Sequence, residues 1–453
     1  MTKPSLSVLE ARFSELKPPM SAREARLEAN RCLYCFDAPC IQACPTNIDV
    51  PTFIRKISTD NVTGAAVTIL EANLMAATCA RVCPVEELCE GACVLGGDYK
   101  PIEIGRLQRY AVDHLYTKQK LPFTPAPANG LRVAVVGAGP AGLSCAGELA
   151  KLGYAVTVFE KNPLPGGLST YGIVVMREPI RVALEEVALI EALGAEVKAG
   201  VAVGQDLTAD ELLADFDAVF LGVGMGSVPH LGIPGEDLAG VTEALSFIAE
   251  TKLAEKDGLE HLQDLPVGQQ VTVIGAGNTA VDAATIAKRL GAERVTLVYR
   301  RGEDQMTAYD FEYSFIKHEG AEFRFLSQPV RILGENGRVT GLECLRVELG
   351  PPGLDGRALP EPVPGSEFVI PCDQVIKAIG QEKRFDLYAH FGLAQTRGYL
   401  EVDKGLRTTN PKIFAGGDCV RATGEAMTVT ATQDGKVAAQ SIHAQLSPAL
   451  AAD

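Results

Sequence analysis

The 453-residue sequence lacks the features expected of a protein that spans a membrane, is secreted or binds nucleic acid. No uninterrupted apolar segment reaches the roughly 18 residues needed to cross a bilayer. The first five residues, Met-Thr-Lys-Pro-Ser, contain no apolar stretch of the secretory kind. Acidic residues outnumber basic ones by 57 to 42, and the net charge of −15 disfavours nucleic acid or an anionic membrane as a partner. We therefore expect a cytoplasmic protein.

Cysteine is concentrated in one short region. Eight of the twelve cysteines lie between Cys32 and Cys93, in runs that read C-x2-C-x4-C-x3-C-P and C-x3-C-P-x4-C-x3-C. Disulfides explain this density poorly, because cytosolic thiols are kept reduced. Zinc sites usually combine two separated C-x2-C pairs, whereas four cysteines closing on Cys-Pro are typical of iron–sulfur ligation. The pattern therefore favours two [4Fe–4S] clusters over zinc.

Two glycine-rich motifs predict two nucleotide-binding domains. Each motif follows an apolar strand and opens a helix, and a second β-rich segment follows about 20 residues later. Glycine is needed because the turn is tight and the backbone must approach a pyrophosphate, which sits at the helix N-terminus. The motif residues are Gly137, Gly139, Pro140, Ala141 and Gly142 in the first, and Gly275, Gly277, Asn278 and Thr279 in the second.

The residues after each second β-rich segment indicate which nucleotide is bound. Glu160 is the acid expected to bind an adenosine ribose in the first domain. In the second domain Arg300 and Arg301 replace this acid, and arginine there could receive the 2′-phosphate of NADP. Glu303 and Asp304 follow closely, however, and would repel a phosphate dianion unless they point away.

The distribution of residue types divides the chain into domains. A helical pattern extends to a proline-rich linker near residues 122–130, and from Leu131 the pattern alternates between β and α, which predicts parallel sheets covered on both faces. Apolar strands that end in glycine, near 221–224 and 377–380, flank the second motif. We therefore expect a helical domain at 1–125, a first nucleotide domain at 126–228 and 379–453, and a second, inserted in it, at 229–378.

The order of these motifs resembles a known family. The cysteine-rich segment is followed by Gly-Ala-Gly-Pro-Ala-Gly, Pro165-Gly-Gly-Leu168, Gly-Ala-Gly-Asn-Thr-Ala and Phe414-Ala-Gly-Gly-Asp418. This order resembles the electron-input subunits of bacterial dihydropyrimidine dehydrogenase, glutamate synthase and ferredoxin-dependent transhydrogenases, over nearly the whole chain. The resemblance implies a helical double-[4Fe–4S] domain followed by two glutathione-reductase-like, Rossmann-type α/β domains. It also implies that NAD(P)H reduces FAD and that electrons leave through the clusters.

The same resemblance implies several flavin contacts. Gly167 and Leu168 would form a turn beside the flavin, and Asp418, after Gly417, would bind the ribityl chain. Thr430 would begin a helix that points at the flavin ring. The sequence lacks the C-x4-C pair of disulfide reductases after the flavin turn. The clusters are therefore the expected exit for electrons, since a flavin can exchange two electrons with a nicotinamide and one with a cluster.

The dihydropyrimidine dehydrogenase branch implies a particular ligand set. One cluster would be held by Cys32, Cys35, Cys40 and Cys93, and the other by Cys44, Cys83, Cys89 and Gln108. Gln108 ends a Pro-Ile-x-Ile-Gly-x-Leu-Gln stretch, whereas the glutamate synthase and transhydrogenase branches carry glutamate near this position. In the alternative, Cys79 completes an all-cysteine site and Gln108 is a solvated helix residue. We favour Gln108, and with it the dihydropyrimidine dehydrogenase branch.

The resemblance to the dihydropyrimidine dehydrogenase branch also implies an electron donor and a partner subunit. NADH is the favoured donor, because the bacterial subunits generally use it and Thr307 stands where NADPH-dependent eukaryotic enzymes add an arginine. The sequence contains no recognisable FMN-binding barrel or pyrimidine pocket. Reduction of uracil or thymine is therefore expected in an FMN and iron–sulfur partner subunit, within a heterotetramer. No catalytic side chain is expected here, since hydride passes between cofactors. The alternatives are a glutamate synthase small subunit or a transhydrogenase subunit, and the second nucleotide motif argues against a non-enzymatic scaffold.

Overall fold

A computed structural model describes residues 5–118, 122–353, 356–421 and 426–450 of the chain. Residues 1–4, which belong to the segment used to argue against a secretion signal, lie outside this range. The chain forms two compact units. The inserted unit contains Met1–Ser14, Tyr171–Pro179 and Gly226–Glu382, and the main unit contains Glu15–Thr170, Ile180–Met225 and Lys383–Asp453.

The helices and strands are numbered in chain order. The helices are α1 Leu6–Arg12, α2 Ala22–Ala29, α3 Pro39–Gln42, α4 Val50–Ser58, α5 Val62–Ala72, α6 Ala76–Val82, α7 Ile104–Thr117, α8 Pro140–Lys151, α9 Leu168–Tyr171, α10 Ile180–Ala192, α11 Ala209–Asp215, α12 Ala244–Asp257, α13 Asn278–Leu290, α14 Asp310–His318, α15 Phe385–His390 and α16 Thr428–Leu450, with 3-10 turns at Val94–Gly97, Leu259–Asp264 and Glu303–Gln305. The strands are β1 Arg132–Val136, β2 Ala155–Glu160, β3 Glu196–Ala199, β4 Ala218–Leu221, β5 Val241–Glu243, β6 Gln270–Ile274, β7 Arg294–Val298, β8 Glu322–Arg324, β9 Ser327–Glu335, β10 Arg338–Pro352, β11 Ala358–Pro362, β12 Phe368–Pro371, β13 Gln374–Lys377, β14 Gln395–Thr396, β15 Tyr399–Leu400 and β16 Ile413–Ala415.

The helical part of the main unit is built from short, well-capped helices around an apolar core. Ser21 and Glu24 form a capping box at the start of α2, and Asp49 accepts a hydrogen bond from Thr52 N at the start of α4. Phe53 and Leu107 are fully buried in the core. Among the described residues no single helix has the length and apolar composition to cross a bilayer. The pair α5 and α6, bent by 91°, meets those criteria only when the two helices are taken together.

The α/β part of the main unit is a five-stranded parallel sheet with the order β16-β4-β1-β2-β3. Val135 and Phe220 lie in its fully buried core. Strand β16 comes from the end of the chain and pairs in parallel with β4, with Ile413 opposite Val219. Helix α16 packs on α8, where Ser144 Oγ donates to Thr432 O over 2.8 Å. The return of the chain to this sheet confirms that the second nucleotide domain is inserted in the first.

The inserted unit contains a second five-stranded parallel sheet, with the order β5-β13-β6-β7-β8. Strands β9, β11 and β12 pair in antiparallel fashion with the long strand β10. Helix α1 also belongs to this unit, although the sequence predicted it within the helical domain at 1–125. It is held there by Arg12 Nη1, which donates to Arg289 O over 3.3 Å, and by Arg289 Nη1, which donates to Arg12 O over 2.5 Å.

Candidate metal centres and nucleotide sites

Four cysteines from both cysteine runs line one pocket of the main unit. The pocket is partly open to solvent and has about 380 Å³ of empty space, and its walls include Ile54 and other apolar side chains. Its cysteines are Cys32, Cys35, Cys40 and Cys93. Burial, followed by the charges of Cys32 and Cys93, raises the pKa of Cys40 to about 11. A metal that binds thiolates would stabilise the deprotonated form that this environment disfavours.

A second group of cysteines surrounds the end of α6. The pKa of Cys83 is raised well above its ordinary value, first by a hydrogen bond with Cys79, then by burial and by the charges of Cys79, Cys89 and Cys44. Burial, together with the charges of Glu90 and Cys44, also raises the pKa of Cys89. The structure thus brings Cys44, Cys83 and Cys89 together, as the sequence analysis expected, and it places Cys79 in the same group.

Gln108 lies in α7 beside the beginning of α6. It is only 7% exposed, so it is not the solvated helix residue of the alternative interpretation. Its side-chain Nε2 donates to Ala76 O over 2.9 Å, which fixes the amide against α6. Cys79, 2% exposed, lies in the same helix. Burial alone therefore does not select between Gln108 and Cys79 as the eighth ligand.

The donor atoms of both cysteine groups suit iron–sulfur clusters. Soft thiolate ligands and apolar walls are typical of such sites. Within the described part of the chain, no three His, Cys, Asp or Glu side chains converge as ligands of a single metal ion. The thiolates and apolar walls of both groups are compatible with iron–sulfur ligation, and Gln108 and Cys79 both lie at the second group.

The first glycine-rich motif forms an open turn before α8. Gly137 has a φ of +97°, and a Cβ atom there would lie 2.5 Å from Gly222 O, so only glycine fits. Gly139 caps α8, Pro140 and Ala141 are its first residues, and Gly142 follows. Gly167 packs against Gly139, because a Cβ at Gly167 would come within 2.7 Å of Gly139 Cα. Leu168, which begins α9, is 40% exposed. These turns leave backbone free to approach a pyrophosphate.

Glu160 closes the same turn from the end of β2. Its two carboxylate oxygens accept hydrogen bonds from Ala138 N over 2.9 Å and from Asn162 N over 2.8 Å. The side chain is 5% exposed and is therefore fixed in position. Since each carboxylate oxygen has a further lone pair, Glu160 can also accept a bond from a ribose hydroxyl.

The closing motif meets the start of α16. Gly417 N donates to Asp434 Oδ2 over 2.9 Å, and Arg421 Nη2 donates to Asp434 Oδ1 over 2.5 Å. Burial raises the pKa of Asp418 above its ordinary value, opposed by the charge of Arg421. Asp434 lies in the segment 430–435 that was expected to open a helix at the flavin ring, but its contact with Gly417 and its pairing with Arg421 were not predicted from the sequence.

A second pocket of the main unit lies between α16 and the cysteine loops. It is open to solvent and has about 670 Å³ of empty space, and Thr430 and Gln433 line it together with Pro45 and Leu88. The buried Oε1 of Gln433 has no hydrogen-bond partner among the described residues. A buried acceptor without a partner is costly, so this pocket suits a ligand with a polar edge, as a flavin ring has.

The second glycine-rich motif is covered by the loop that follows β7. Gly275 has a φ of +135°, and a Cβ there would lie 2.2 Å from Ala378 O. Gly277 caps α13, which begins with Asn278 and Thr279. Thr307 N donates to Ala276 O over 3.2 Å, and Tyr309 N donates to Asn278 Oδ1 over 3.2 Å. These hydrogen bonds hold the loop against the motif.

The two predicted arginines have different environments. Arg300 is exposed, whereas Arg301 is buried and its Nε donates to Ala358 O of β11 over 3.0 Å. Arg357, which the sequence analysis missed, donates to the Tyr299 hydroxyl over 2.6 Å. Glu303 Oε1 accepts a hydrogen bond from the Tyr313 hydroxyl over 2.5 Å. Arg300 is thus the more accessible of the predicted pair.

Together these sites define an iron–sulfur flavoprotein that uses a pyridine nucleotide. Residues 131–435 match the model of the pyridine nucleotide-disulphide oxidoreductase family, and the chain belongs to this family. Residues 9–120 match a second model, described as dihydropyrimidine dehydrogenase domain II with a 4Fe–4S cluster. The predicted fold class and the prediction of an NAD(P)H-dependent oxidoreductase are confirmed.

Relatives with several different functions share this architecture. The putative oxidoreductase AegA of Escherichia coli is 39% identical over 97% of this chain and 69% of the relative. The small chain of E. coli NADPH-dependent glutamate synthase is 36% identical over 97% of this chain and 95% of the relative. The E. coli NAD-dependent dihydropyrimidine dehydrogenase subunit PreT is 35% identical over 96% of this chain and 98% of the relative. The family is therefore clear, while identity does not separate its branches.

Solved structures agree with the fold. Mycobacterium tuberculosis FprA in complex with NADPH is 22% identical over 72% of this chain and 86% of the other, with a TM-score of 0.57. Thioredoxin reductase from T. acidophilum is also 22% identical, over 69% of this chain and 97% of the other, with a TM-score of 0.55. At this identity the likeness concerns the fold alone.

Proposed function

We propose that this chain is the electron-input subunit of a dihydropyrimidine dehydrogenase. It would oxidise NADH at FAD and pass the electrons through two [4Fe–4S] clusters to an FMN-containing partner subunit, which reduces uracil or thymine to the 5,6-dihydropyrimidine. The observation that supports this choice of branch is the hydrogen bond from Gln108 Nε2 to Ala76 O, which fixes the amide against α6, the helix that ends at the second cysteine group. A subunit within a heteromer is also supported by relatives that are themselves subunits.

The flavin would be held by the main unit. Bound FAD supplies the exchange between two-electron and one-electron chemistry. The turn from Gly137 to the start of α8 would bind its pyrophosphate, and Glu160 its ribose. Gln433 would offer an acceptor to the polar edge of the ring, which explains why its Oε1 has no partner among the described residues. The same pocket reaches Pro45, directly after Cys44, so a ring bound there would lie beside the second cysteine group.

The donor site would be the second glycine-rich motif. Arg301 already donates to Ala358 O, and Glu303 already accepts from Tyr313. Arg357 is likewise engaged, by the Tyr299 hydroxyl and Gln305 O. Arg300 is then the most accessible arginine for a 2′-phosphate, and a single exposed arginine is a weak phosphate site. These contacts favour NADH, whose ribose carries no phosphate.

A second candidate function is supported by Cys79. Its thiol is buried and shares a hydrogen bond with Cys83. If Cys79 completes an all-cysteine site, the reason for preferring dihydropyrimidine dehydrogenase is removed. The similarity to glutamate synthase small chains would then carry equal or greater weight.

Two substitutions test the choice of ligand. Gln108→Leu should remove or strongly perturb one cluster while FAD stays bound, because the flavin motif lies beyond residue 130. NADH should still reduce the flavin and a small dye, whereas electron transfer to the partner should collapse. Cys79→Ser, the matched control, should be mild. A harmless Gln108→Leu together with a Cys79→Ser that loses a cluster would overturn the assignment.

The partner can be identified directly. The untagged native complex should be purified anaerobically, with FMN measured in the companion subunit. NADH oxidation by this complex should depend on uracil or thymine. If it depends instead on glutamine and 2-oxoglutarate, the chain is a glutamate synthase subunit.

A further inference from the structure

Lys436 connects the helix at the flavin pocket to the loop of the second cysteine group. It lies in α16, fewer than two turns after Thr430. Its Nζ donates to Thr46 O over 3.0 Å and to Ala72 O, at the end of α5, over 2.8 Å. Thr46 follows the Cys44-Pro45 pair, and its Oγ1 lies 3.3 Å from Cys44 Sγ. A single lysine thus connects α16 to the loop that positions Cys44.

Lys436 forms no direct ion pair with a carboxylate of the described residues. Among the described residues no Asp or Glu oxygen lies within 4.0 Å of its Nζ, whereas Lys151 on the neighbouring helix pairs with Glu148 at 3.0 Å. Burial lowers the pKa of Lys436, while the charges of Glu148 and Cys44 act in the opposite direction. Two carbonyl oxygens solvate an ammonium group but do not neutralise it. A partly buried cation of this kind is stabilised by a nearby negative group.

We propose that Lys436 is a positioning and electrostatic residue for the second cluster. Its hydrogen bonds fix the loop that carries Cys44, and its positive charge raises the reduction potential of the cluster that Cys44, Cys83 and Cys89 hold. This inference rests on the proposed function, because it requires the second cluster. It assigns a role to a residue that no cysteine or nucleotide motif contains.

The direction of the effect follows from the charges. Reduction of the cluster adds one electron and breaks no bond, so a fixed cation nearby stabilises the reduced form more than the oxidised form. The environment is partly shielded from water, which preserves the interaction. Loss of the charge should lower the equilibrium constant for reduction about tenfold, which corresponds to about 59 mV for a one-electron couple.

The test compares three variants of the full chain, purified anaerobically with FAD and iron. Lys436→Met removes the charge, Lys436→Arg keeps it, and Lys151→Met removes a neighbouring lysine that forms a direct ion pair with Glu148. Each protein is titrated with dithionite and followed by electron paramagnetic resonance. We expect one cluster to shift to lower potential in Lys436→Met only, with the other cluster unchanged. Loss of four irons from Lys436→Met alone would support the positioning role as well.

Two outcomes would overturn the inference. One is an unchanged potential for both clusters in Lys436→Met. The other is the same shift or cluster loss in Lys436→Arg, which keeps the charge. Iron analysis of the wild-type chain separates these results from a failure of the proposed function. A wild-type chain without a second cluster would contradict the proposed function, whereas two intact clusters with unmoved potentials would contradict only the role of Lys436.

Discussion

Glu186 provides the sharpest test of how the main unit supports its second cysteine group. This residue of α10 is fully buried. Its carboxylate accepts hydrogen bonds from Ala77 N at 2.7 Å, Thr78 N at 3.0 Å and Thr78 Oγ1 at 2.5 Å. The two amides belong to the first turn of α6, whose own N-cap residue, Met75, makes no side-chain cap. Glu186 therefore caps α6 from another helix and places a negative charge at its N-terminus.

The loss of unfolding free energy expected on removing Glu186 can be estimated from these hydrogen bonds. Glu186→Ala leaves three buried donors without this acceptor, and each such donor costs about 1–3 kcal/mol. Because the three costs are not fully additive, we expect the free energy of unfolding to fall by about 3–6 kcal/mol. Glu186→Gln keeps one oxygen acceptor but loses the charge, so we expect the free energy of unfolding to fall by only about 1–2 kcal/mol. Glu185→Ala is the control on the same helix. Glu185 is exposed and pairs with Arg181 at 3.6 Å, and such pairs contribute about 1 kcal/mol or less.

Two measurements check this prediction. Equilibrium urea unfolding followed by far-ultraviolet circular dichroism gives the change in stability, and the rate of iron release to a chelator reports on the cysteine group at the end of α6. The second readout is needed because a chain of two compact units need not unfold in one step. If Glu186→Ala matches Glu185→Ala in both measurements, the cap does not support the second cysteine group and the reasoning is refuted.

Three further predictions concern metal, nucleotide and pH. The anaerobically purified chain should hold about eight iron atoms, and zinc in their place would contradict the cluster assignment. Replacing the exposed Arg300 by Ala should leave the KM for NADH within about fivefold, because a ribose without phosphate loses no charge-assisted bond, and Arg301 is kept because it is buried and bonded to Ala358 O. A loss of orders of magnitude, with NADPH the better wild-type donor, would show that NADH is the wrong choice. Burial would raise the pKa of Glu236, but hydrogen bonds from Lys377 and two backbone amides hold it below its ordinary value of 4.5. The ionised Glu236 carboxylate therefore contributes its full stabilisation above about pH 4.5. This contribution is lost as the pH falls through the pKa that Glu236 has in the folded protein. Urea unfolding should separate Glu236→Gln from the wild type at pH 7, and the two should converge in acid.

The glycine-rich turns could be predicted from the sequence because their requirements are local. Gly137 and Gly275 both have positive φ and both lie against a backbone carbonyl, so the motif itself records the steric constraint. The insertion of one domain in the other was also predictable, since apolar strands on either side of the second motif marked the two crossings. Short-range patterns of this kind are visible in a single sequence.

The supporting contacts could not be predicted in this way. Glu186 and Lys436 lie in helices of ordinary composition, and their partners are more than 100 residues away in the chain. Similarly, the tandem arginines look equivalent in the sequence, but Arg301 is engaged by a strand more than 50 residues later. Helix α1 has the composition of its helical neighbours, yet its contacts with Arg289 place it in the inserted unit. Long-range pairing decides each of these cases.

The pairing of β16 with β4 has a consequence for synthesis of the protein. The residues of the inserted unit have all left the ribosome before Ile413, whereas the sheet of the main unit acquires its edge strand only afterwards. Until then β4 presents an unpaired edge, which is prone to association with other chains, and α8 lacks its partner α16. We therefore expect a chain truncated after Pro411 to keep a folded inserted unit but fail to retain flavin. Flavin loading would thus report that β16 and α16 have been synthesised and have joined the main unit.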